Sequence, residues 1–445
     1  MPIEQLSGTG LSYHLITFDA RGRERVEPDG EPASRRALTV LAGEPVTDVF
    51  LFSHGWQGDV PAARGQYDAW IRAMADCKAD IERMDEARGG AFRPLLIGLH
   101  WPSLPFGDEE LSGGGAASFA APAGAAPVEV EAMVDAYAAR IADTPAAREA
   151  LRVIIERAID DVAPDELPRE VADACTMLDR ESGMGSAGEG AQPGADREPF
   201  DPERVYRAVQ EEEVSFGSIG FGGLLALPRT LSFWMMKDRA RRFGEGEGHT
   251  LLNDVQRAAQ PSREVRFHLM GHSFGCIVAS AMLAGPGGRG SLIRPIDSLA
   301  LVQGALSLWS YCGEIPTVPG RAGYFHEVLA GGCVRGPIVT TQSEYDAAVG
   351  RWYPLAAGVA GQVAFGPGGL PRYGAVGAFG LRGLDAIAHD AEIGPVDAVY
   401  DFEPGRIYNL EGSRIIRESA GFFAGAHSDF ARPEVAHAVW EAARG

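Results

Sequence analysis

The sequence is poor in cysteine, in basic residues relative to acidic ones, and in long apolar runs. Its five cysteines are odd in number and no pair has C-x-x-C spacing, so neither a disulfide framework nor a zinc knuckle is indicated. No uninterrupted apolar stretch approaches ~18 residues, and no transmembrane helix is expected. The first residues lack a basic region followed by an apolar run, so no signal peptide is expected either. Reduced thiols in a cytoplasmic protein fit this pattern best.

The excess of acidic residues limits the partners of the chain. The formal net charge is -21 over 445 residues. Such a surface repels phosphate backbones, so nucleic acid is not expected as a partner. Anionic membranes are disfavoured and no stable membrane anchor is expected, although a neutral lipid stays open as a substrate. The histidines show no H-E-x-x-H or similar spacing, so we expect neither a metal nor another cofactor.

Short apolar runs predict a buried β-sheet. Continuous apolar runs of this length are typical of strands covered on both faces. Helical spacing over residues 67–88 separates two of them, which makes a strand–helix–strand unit. The predicted fold class is α/β, with a doubly wound, mostly parallel sheet. The runs lie at 11–18, 37–41, 49–52, 95–99, 265–270, 298–302, 337–341 and 406–410.

The composition changes between residues 103 and 227, where Ala, Gly, Glu and Asp dominate. Helices are predicted there at 128–142, 145–162 and 167–178. Thr144 precedes Pro145 as an N-cap before a proline at the first helical position. The Gly-rich stretch near 182–197 has few bulky side chains to bury and predicts a mobile linker. We therefore expect a core formed by 1–102 and 228–445, interrupted by a helical insertion or cap at 103–227.

The sequence Gly271-His-Ser-Phe-Gly275 matches G-x-S-x-G. The pattern alone is weak, because glycine makes up 57 of the 445 residues and chance matches occur. Its context is stronger, since it follows the predicted strand 265–270 and precedes a predicted helix at 276–283. A nucleophile elbow has this arrangement, and it projects the serine hydroxyl above the sheet at a helix N-terminus. We predict Ser273 as the nucleophile. The alternative is an incidental Gly-rich turn.

A serine that performs acyl transfer needs N–H donors for the oxyanion. One donor is expected from Phe274, the residue after the nucleophile, and the other from the loop after the third strand. That loop contains His-Gly-Trp at 54–56, and Gly55 permits a tight turn there. We assign the second donor to Trp56, with Gln57 as the alternative.

The serine also needs a histidine and an acid, expected downstream with the acid first. Four histidines follow Ser273, and only His427 lies between the last predicted strand and the last predicted helix, at 433–443. A catalytic imidazole reaches the serine from such a loop. His437 lies inside that helix, where a surface or packing role is expected.

The acid should follow the predicted strand 337–341. We predict Asp346, because it lies several residues past that strand, where a loop can bend towards the histidine. Glu344 is the alternative acid. Either carboxylate would fix the imidazole tautomer and stabilise the imidazolium. A solvated acidic turn is the other interpretation of this segment.

With these residues in place, the sequence resembles the α/β-hydrolase superfamily over roughly 10–102 and 228–445. The resemblance rests on the strand order, His-Gly-Trp at 54–56, the motif around Ser273, Asp346 and His427. It implies a Ser-Asp-His triad and hydrolysis through a covalent acyl-enzyme. It is at superfamily level, close to serine esterases and lipases, and identifies no substrate. The insertion at 103–227, after the fourth predicted strand, is a departure from the smallest members of this superfamily.

The expected function is therefore a cytoplasmic carboxylic-ester hydrolase, a carboxylesterase or lipase-like enzyme, that acts on a small-molecule ester. Two apolar segments interrupted by glycines, at 214–227 and 359–380, favour an apolar acyl or aromatic part in that substrate. Buried connectors explain them equally well. An amidase, a peptidase or an acyltransferase with the same triad remains an alternative. A non-catalytic module that binds a small ligand is the alternative of another class.

Overall fold

A computed structural model of the chain describes residues 3–28, 30–56, 60–103, 130–216, 223–259, 264–346, 349–350, 370–418 and 426–445. These residues form one nine-stranded sheet with helices packed on both faces. The predicted α/β class, with a mostly parallel sheet, is confirmed. Among the described residues, no helix combines the length and apolarity needed to cross a membrane.

The sheet grows outward in both directions from two central strands. The strands are β1 Ile3–Gln5, β2 Ser12–Thr17, β3 Asp48–Ser53, β4 Pro94–His100, β5 Arg266–His272, β6 Ser298–Val302, β7 Ile338–Gln342, β8 Ala388–Glu392 and β9 Ile407–Glu411. Their order in the sheet is β1-β2-β4-β3-β5-β6-β7-β9-β8; β1 runs antiparallel to β2 and the other neighbours are parallel. Connections from β3 and β5 leave in opposite directions, so a crevice forms outside their carboxyl ends, where open α/β sheets bind ligands.

Helices cover the sheet, and a π-helical turn at Gly244–Gly248 joins two of them. The helices within the described ranges are α1 Ala33–Gly43, α2 Val60–Asp76, α3 Lys78–Ala87, α4 Val130–Ala138, α5 Pro145–Asp160, α6 Arg169–Ser182, α7 Pro202–Phe216, α8 Ala226–Phe243, α9 His249–Ala258, α10 Gly275–Ala284, α11 His326–Ala330, α12 Val376–Phe379 and α13 Pro433–Arg444.

The two faces of the sheet bury separate apolar cores. Val49 and Leu51 of β3 pack with residues of α1, α9 and α10 on one face. Phe50 and Phe52 pack with residues of α2 and α13 on the other. Every residue of β3 is buried, as expected of a strand covered on both sides. This is why its apolar run is unbroken.

The prediction of a strand at 37–41 is wrong, because this segment lies in α1. The residues that α1 buries, Ala33, Ala37 and Leu41, recur every fourth position, which is helical spacing. The short run Ala-Leu-Thr-Val-Leu hides that period. A three-residue strand at the N-terminus, β1, was not predicted. As a result, β3 is still the third strand of the chain.

The single helix predicted at 67–88 is two helices, α2 and α3. They meet at Cys77, whose ψ of 62° lies outside the helical region. The break gives α3 its own direction, and both helices pack against α13 in one core. The apolar period runs through the break, so the sequence pattern alone does not reveal it.

The insertion forms its own apolar core from α4 to α7. Thr144 caps α5 as predicted, and its hydroxyl oxygen accepts a hydrogen bond from the backbone N–H of Ala147 at 3.1 Å. Leu227 and Leu231 of α8 belong to this core, whereas Met236 further along α8 belongs to the main core. The expected boundary at 228 therefore falls inside a helix that the two cores share.

The stretch near 182–197, predicted as a mobile linker, ends in two buried charged residues, Asp196 and Arg197, and its mobility stays a prediction. Arg197 is 2% exposed and donates to Asp179 at 2.6 Å. Asp196 pairs with Lys237 of α8 at 2.5 Å, with both side chains buried. Counting bulky apolar residues missed these ion pairs, which tie the stretch to its surroundings.

Candidate active site

Ser273 lies in a tight turn between β5 and α10. Its φ is +56°, and only one other non-glycine residue in the described ranges has a positive φ. A β-carbon at Gly275 would overlap the carbonyl oxygen of Ser53, and one at Gly271 would overlap the backbone of Gly275. Both glycines are therefore needed for the strand and the helix to pass so closely. The turn has the strand–turn–helix form that the sequence predicted.

The structure brings Ser273, His427 and Asp346 into one hydrogen-bonded chain. The Nε2 atom of His427 lies 2.7 Å from Oγ of Ser273. Its Nδ1 atom lies 2.8 Å from Oδ2 and 3.0 Å from Oδ1 of Asp346. A carboxylate only accepts, so Nδ1 carries the proton and Nε2 is free to accept the one on the serine hydroxyl. Asp346 itself is 1% exposed, which shields this contact from water.

Glu344, the alternative acid, is not part of this chain. Its side chain is exposed, and its backbone N–H donates to Oγ of Ser413 at 2.9 Å. His437, the histidine expected to have a packing role, is fully buried elsewhere in the molecule. Of the two candidate acids, only Asp346 contacts the imidazole.

The loop after β3 passes directly beside the serine. A β-carbon on Gly55 would lie 2.9 Å from Cβ and 3.4 Å from Oγ of Ser273, so only glycine fits here. The carbonyl of Gly55 accepts a hydrogen bond from Nδ1 of His54 at 2.8 Å. In a trans peptide the next N–H points the opposite way, so the N–H of Trp56 points away from the His54 ring. Gln57, the alternative donor, lies outside the described residues.

The backbone of His54 fixes this loop through two hydrogen bonds to neighbouring side chains. Its backbone N–H donates to the hydroxyl of Tyr67 at 2.9 Å, and its carbonyl accepts from the Trp101 indole at 2.8 Å. Burial, helped by nearby His100, lowers the pKa of His54 well below its ordinary value. A neutral His54 donates through Nδ1 alone, which suits its bond to the Gly55 carbonyl.

Three aromatic rings lie beside the serine. The ring of Trp56 stacks on Phe274, with centroids 5.7 Å apart and an interplanar angle of 25°. Phe233 of α8 lies 5.1 Å from Phe274 and 5.9 Å from Trp56. The side chains of both predicted oxyanion residues therefore belong to one cluster, which α8 completes.

His272 precedes the serine, and both nitrogens of its ring have polar partners. Its Nε2 atom lies 2.8 Å from the carbonyl oxygen of His427, and its Nδ1 atom lies 2.8 Å from Nε2 of Gln66 on α2. Burial, with the charge of His427, lowers the pKa of His272 to about 3. The imidazole is therefore neutral at ordinary pH, with its proton on Nε2, and it donates to the backbone of His427.

Gln303 is a buried polar residue that the sequence interpretation did not single out. Its Nε2 atom donates to the carbonyl of Ala426 at 2.7 Å and to Oδ2 of Asp346 at 3.3 Å. It is the other non-glycine residue with positive φ, at +47°. Its position in the sequence could have indicated a place near the site. Gln303 is the first polar residue after β6, and parallel strands end at the same edge of a sheet.

One group within the described ranges has carboxylates and a histidine close enough to hold a metal ion, namely Asp80, His437 and Glu441. The guanidinium of Arg83 lies 2.5 Å from Asp80 and 3.4 Å from Glu441. A fixed cation therefore already lies between the carboxylates. The group belongs to α3 and α13 and not to the loops that carry Ser273 and His427.

The two apolar segments interrupted by glycines, at 214–227 and 359–380, lie partly outside the described residues. Their role stays a prediction. Within the second segment, Tyr373 is buried and its hydroxyl donates to Glu198 of the insertion at 2.8 Å.

Comparisons with protein-family models, with curated proteins and with solved structures each found no match.

Proposed function

We propose that the chain is a serine hydrolase with the α/β-hydrolase fold that cleaves a carboxylic ester through an acyl-enzyme. The observation that carries this proposal is the hydrogen-bonded chain from Ser273 through His427 to Asp346, at 2.7 and 2.8 Å. The order of these three residues in the sequence also supports the proposal. The serine follows β5, the acid follows β7 and the histidine follows β9, which is the Ser, acid, His order of that superfamily.

In the first half of the reaction, Oγ of Ser273 attacks the ester carbonyl carbon. Nε2 of His427 takes the hydroxyl proton, and the electrons of the C=O bond move to its oxygen. The backbone N–H groups of Trp56 and Phe274 stabilise that oxyanion. The carboxylate of Asp346 stabilises the imidazolium that forms.

In the second half, the C=O bond re-forms and the bond to the leaving alcohol breaks, while His427 gives its proton to that oxygen. The acyl group is then joined to Ser273. Water attacks this ester, and His427 takes a proton from the water and returns it to Oγ of Ser273. The products are the acid, the alcohol and the unchanged enzyme.

A fluorophosphonate probe tests the nucleophile, because it phosphonylates an activated serine. We expect labelling of the wild type at Ser273, none in Ser273→Ala, and wild-type labelling in Ser280→Ala. Ser280 is a matched control, since it is a buried serine of α10 whose hydroxyl donates to the carbonyl of Cys276 at 2.7 Å. A wild type that is not labelled, or a Ser273→Ala variant that still hydrolyses p-nitrophenyl butyrate, would overturn the proposal. The former outcome would favour a non-catalytic binding module.

We further propose that the substrate is a small-molecule ester with an apolar acyl or aromatic part. The aromatic cluster of Trp56, Phe233 and Phe274 supports this, because apolar groups gain by leaving water against such rings. In a series of p-nitrophenyl esters, kcat/KM should rise from acetate to longer acyl chains. Phe233→Ala should flatten this rise. Matched ester and amide substrates would separate an esterase from an amidase, and added alcohol would reveal acyl transfer.

A further inference from the structure

We propose that Gln303 and His272 form a clamp on the backbone around His427, and that they are positioning residues for its imidazole. The proposal rests on the proposed function, because it assigns these residues to the same site. Neither side chain touches Ser273 Oγ through a hydrogen bond in the structure. Both act through the loop that carries the histidine.

The clamp holds two consecutive carbonyl groups. The amide of Gln303 donates to the carbonyl of Ala426 at 2.7 Å, and the imidazole of His272 donates to the carbonyl of His427 at 2.8 Å. With the peptide planes on both sides of the Cα of His427 fixed, the direction of its side chain is fixed as well. These two donors stand at the ends of β6 and β5, so the central sheet sets the position of the histidine.

Gln303 also joins the acid to the histidine loop. The same Nε2 atom lies 3.3 Å from Oδ2 of Asp346, and the backbone N–H of Ala426 donates to the carbonyl of Tyr345 at 2.9 Å. The distance between the acid and the imidazole is therefore held by two cross-links as well as by their own hydrogen bond. A shift of about 1 Å at a reacting group can lower a rate ~10²-fold, so such cross-links matter.

The conformation and the burial of Gln303 both cost stability. Its φ of +47° is uncommon for a side chain of this kind, and it is fully buried. Its Oε1 atom has no hydrogen-bond partner within the described part of the chain. Its backbone N–H donates to Oγ1 of Thr341 at 3.0 Å, and its side chain makes two hydrogen bonds, both from Nε2. Both end at groups that hold His427.

Burial keeps the His272 ring neutral, and Gln66 determines which of its nitrogens carries the proton. The amide nitrogen of Gln66 lies 2.8 Å from Nδ1 of His272, so Nδ1 accepts and the single proton of the neutral ring lies on Nε2. Nε2 is the atom that faces the His427 carbonyl. Gln66 therefore selects the tautomer that the clamp needs.

The test uses the rate at which a fluorophosphonate labels Ser273 in the full chain. Gln303→Gly removes the amide without backbone strain, because glycine accepts positive φ. His272→Phe keeps a ring but removes the donor. We expect each to label ~10- to 100-fold more slowly than wild type, the range seen when groups that orient reactive side chains are removed. Gln303→Asn accepts positive φ but is too short to reach both acceptors, so it should also be slow.

Two buried residues away from Ser273 provide matched controls. The ring of His249, like that of His272, lies between a backbone carbonyl and a side-chain amide, although on opposite nitrogens. Its Nδ1 lies 2.7 Å from the Met282 carbonyl and its Nε2 lies 3.0 Å from the Asn253 amide nitrogen. Gln256 donates to the carbonyl of Arg294 at 2.9 Å. His249→Phe and Gln256→Ala should label at the wild-type rate per folded molecule, even if they unfold more easily.

A pH profile separates positioning from a general loss of packing. The charged or titratable neighbours of the His427 ring in the described residues are Asp346, Ser273 and His272. Without the Gln303 amide, the carboxylate of Asp346 loses a hydrogen-bond donor. Its negative charge then acts more strongly on His427 and favours the protonated imidazole. The acidic limb of the labelling rate should therefore move to higher pH in Gln303→Gly and stay in place in His272→Phe.

The clamp is overturned if Gln303→Gly and Gln303→Asn, or His272→Phe, fold and label as fast as wild type. It is also overturned if the Gln256→Ala or His249→Phe control slows equally, or if the acidic limb does not move in either Gln303 variant. A wild type that is not labelled at all overturns the proposed function instead. That outcome is recognised before any clamp variant is measured.

Discussion

The molecule contains two histidine–aspartate pairs of nearly identical local geometry. In one, Nδ1 of His427 lies 2.8 and 3.0 Å from the two carboxylate oxygens of Asp346. In the other, Nδ1 of His437 lies 2.9 and 3.0 Å from those of Asp80. Both carboxylates are buried. The pairs alone therefore do not distinguish a reactive histidine from a structural one.

The partner of the second ring nitrogen makes the difference. Nε2 of His427 faces the hydroxyl of Ser273 at 2.7 Å, and a hydroxyl can give a proton as well as accept a bond. Nε2 of His437 faces the carbonyl of Ala398 at 2.8 Å, which can only accept. Acceptors at both nitrogens favour the doubly protonated form of His437.

The surrounding charges agree with this assignment. Burial is the largest influence on His437 and lowers its pKa, but its bonds to Asp80 and Ala398 and the charges of Asp80 and Glu441 together raise that pKa above the ordinary value. Arg83 adds a second cation to the two carboxylates. Asp346 has only neutral Gln303 besides His427 as a side-chain partner in the described residues, so this pair can gain a proton in the proposed reaction.

The largest contrast should appear in turnover. His427→Ala and Asp346→Asn should each lose at least ~10²-fold in kcat on p-nitrophenyl butyrate, because the base or its orienting acid is gone. His437→Ala should keep wild-type kcat per folded molecule. Active-site titration of the folded fraction gives the comparison. Equal losses in His427→Ala and His437→Ala would remove the functional distinction between the pairs.

The second contrast is in stability. Asp80→Asn leaves His437 without its buried carboxylate and Arg83 with Glu441 alone, and breaking such a buried pair costs about 3–5 kcal/mol. We expect about 3 kcal/mol, the lower end, because the Arg83 side chain is 37% exposed and water can solvate it. Asp346→Asn should cost less, since His427 can stay neutral. Urea denaturation of both variants measures the difference, and a larger loss in Asp346→Asn would contradict it.

The sequence predicted the histidine–aspartate pair that contacts Ser273, but not the pair of His437 and Asp80. Ser273, Asp346 and His427 each follow a predicted strand, and parallel strands end at one edge, so their meeting could be predicted. Asp80 and His437 lie on helices, and no local pattern relates two helices so far apart in the chain. The break at Cys77 that places α3 beside α13 was also hidden by a continuous apolar period.

Other features depended on tertiary contacts in the same way. The segment 37–41 contains β-branched and apolar residues in a run too short to show its period, and packing on the sheet selected the helix. β8 has the polar sequence Ala-His-Asp-Ala-Glu at an exposed edge, so it lacks the apolar signal of a strand. Gln303 carries no motif, and its role arises from the two loops that it contacts.

Backbone strain provides a third contrast. The positive φ of Ser273 costs on the order of 1 kcal/mol for a residue with a β-carbon. Ser273→Gly should therefore raise the free energy of unfolding by about 1 kcal/mol, whereas Ser273→Ala keeps the strain and should not. Both variants should be inactive. No gain in Ser273→Gly over Ser273→Ala would show that the turn is not strained.

A fourth contrast is the pH dependence of stability, which should have opposite signs at two buried histidines. The pKa of His437 is raised in the folded state. Its contribution is therefore fully present below the unfolded-state value of about 6.5 and is lost as pH rises through the folded-state pKa. His272, with a pKa lowered to about 3, stabilises above about 6.5 and loses this contribution as the pH falls towards the folded-state value.

Differences between variants isolate these two contributions from the other titrating groups. The unfolding free energy of the wild type minus that of His437→Gln should shrink as the pH rises above about 6.5. The corresponding difference for His272→Phe should grow as the pH rises from about 4.5 to 7. Urea denaturation at several pH values gives both curves. If the His437 difference grew with pH instead, His437 would be neutral in the folded protein. Its Nε2 would then lack the proton that the Ala398 carbonyl requires, and the two histidine–aspartate pairs would differ in their surroundings but not in their charge.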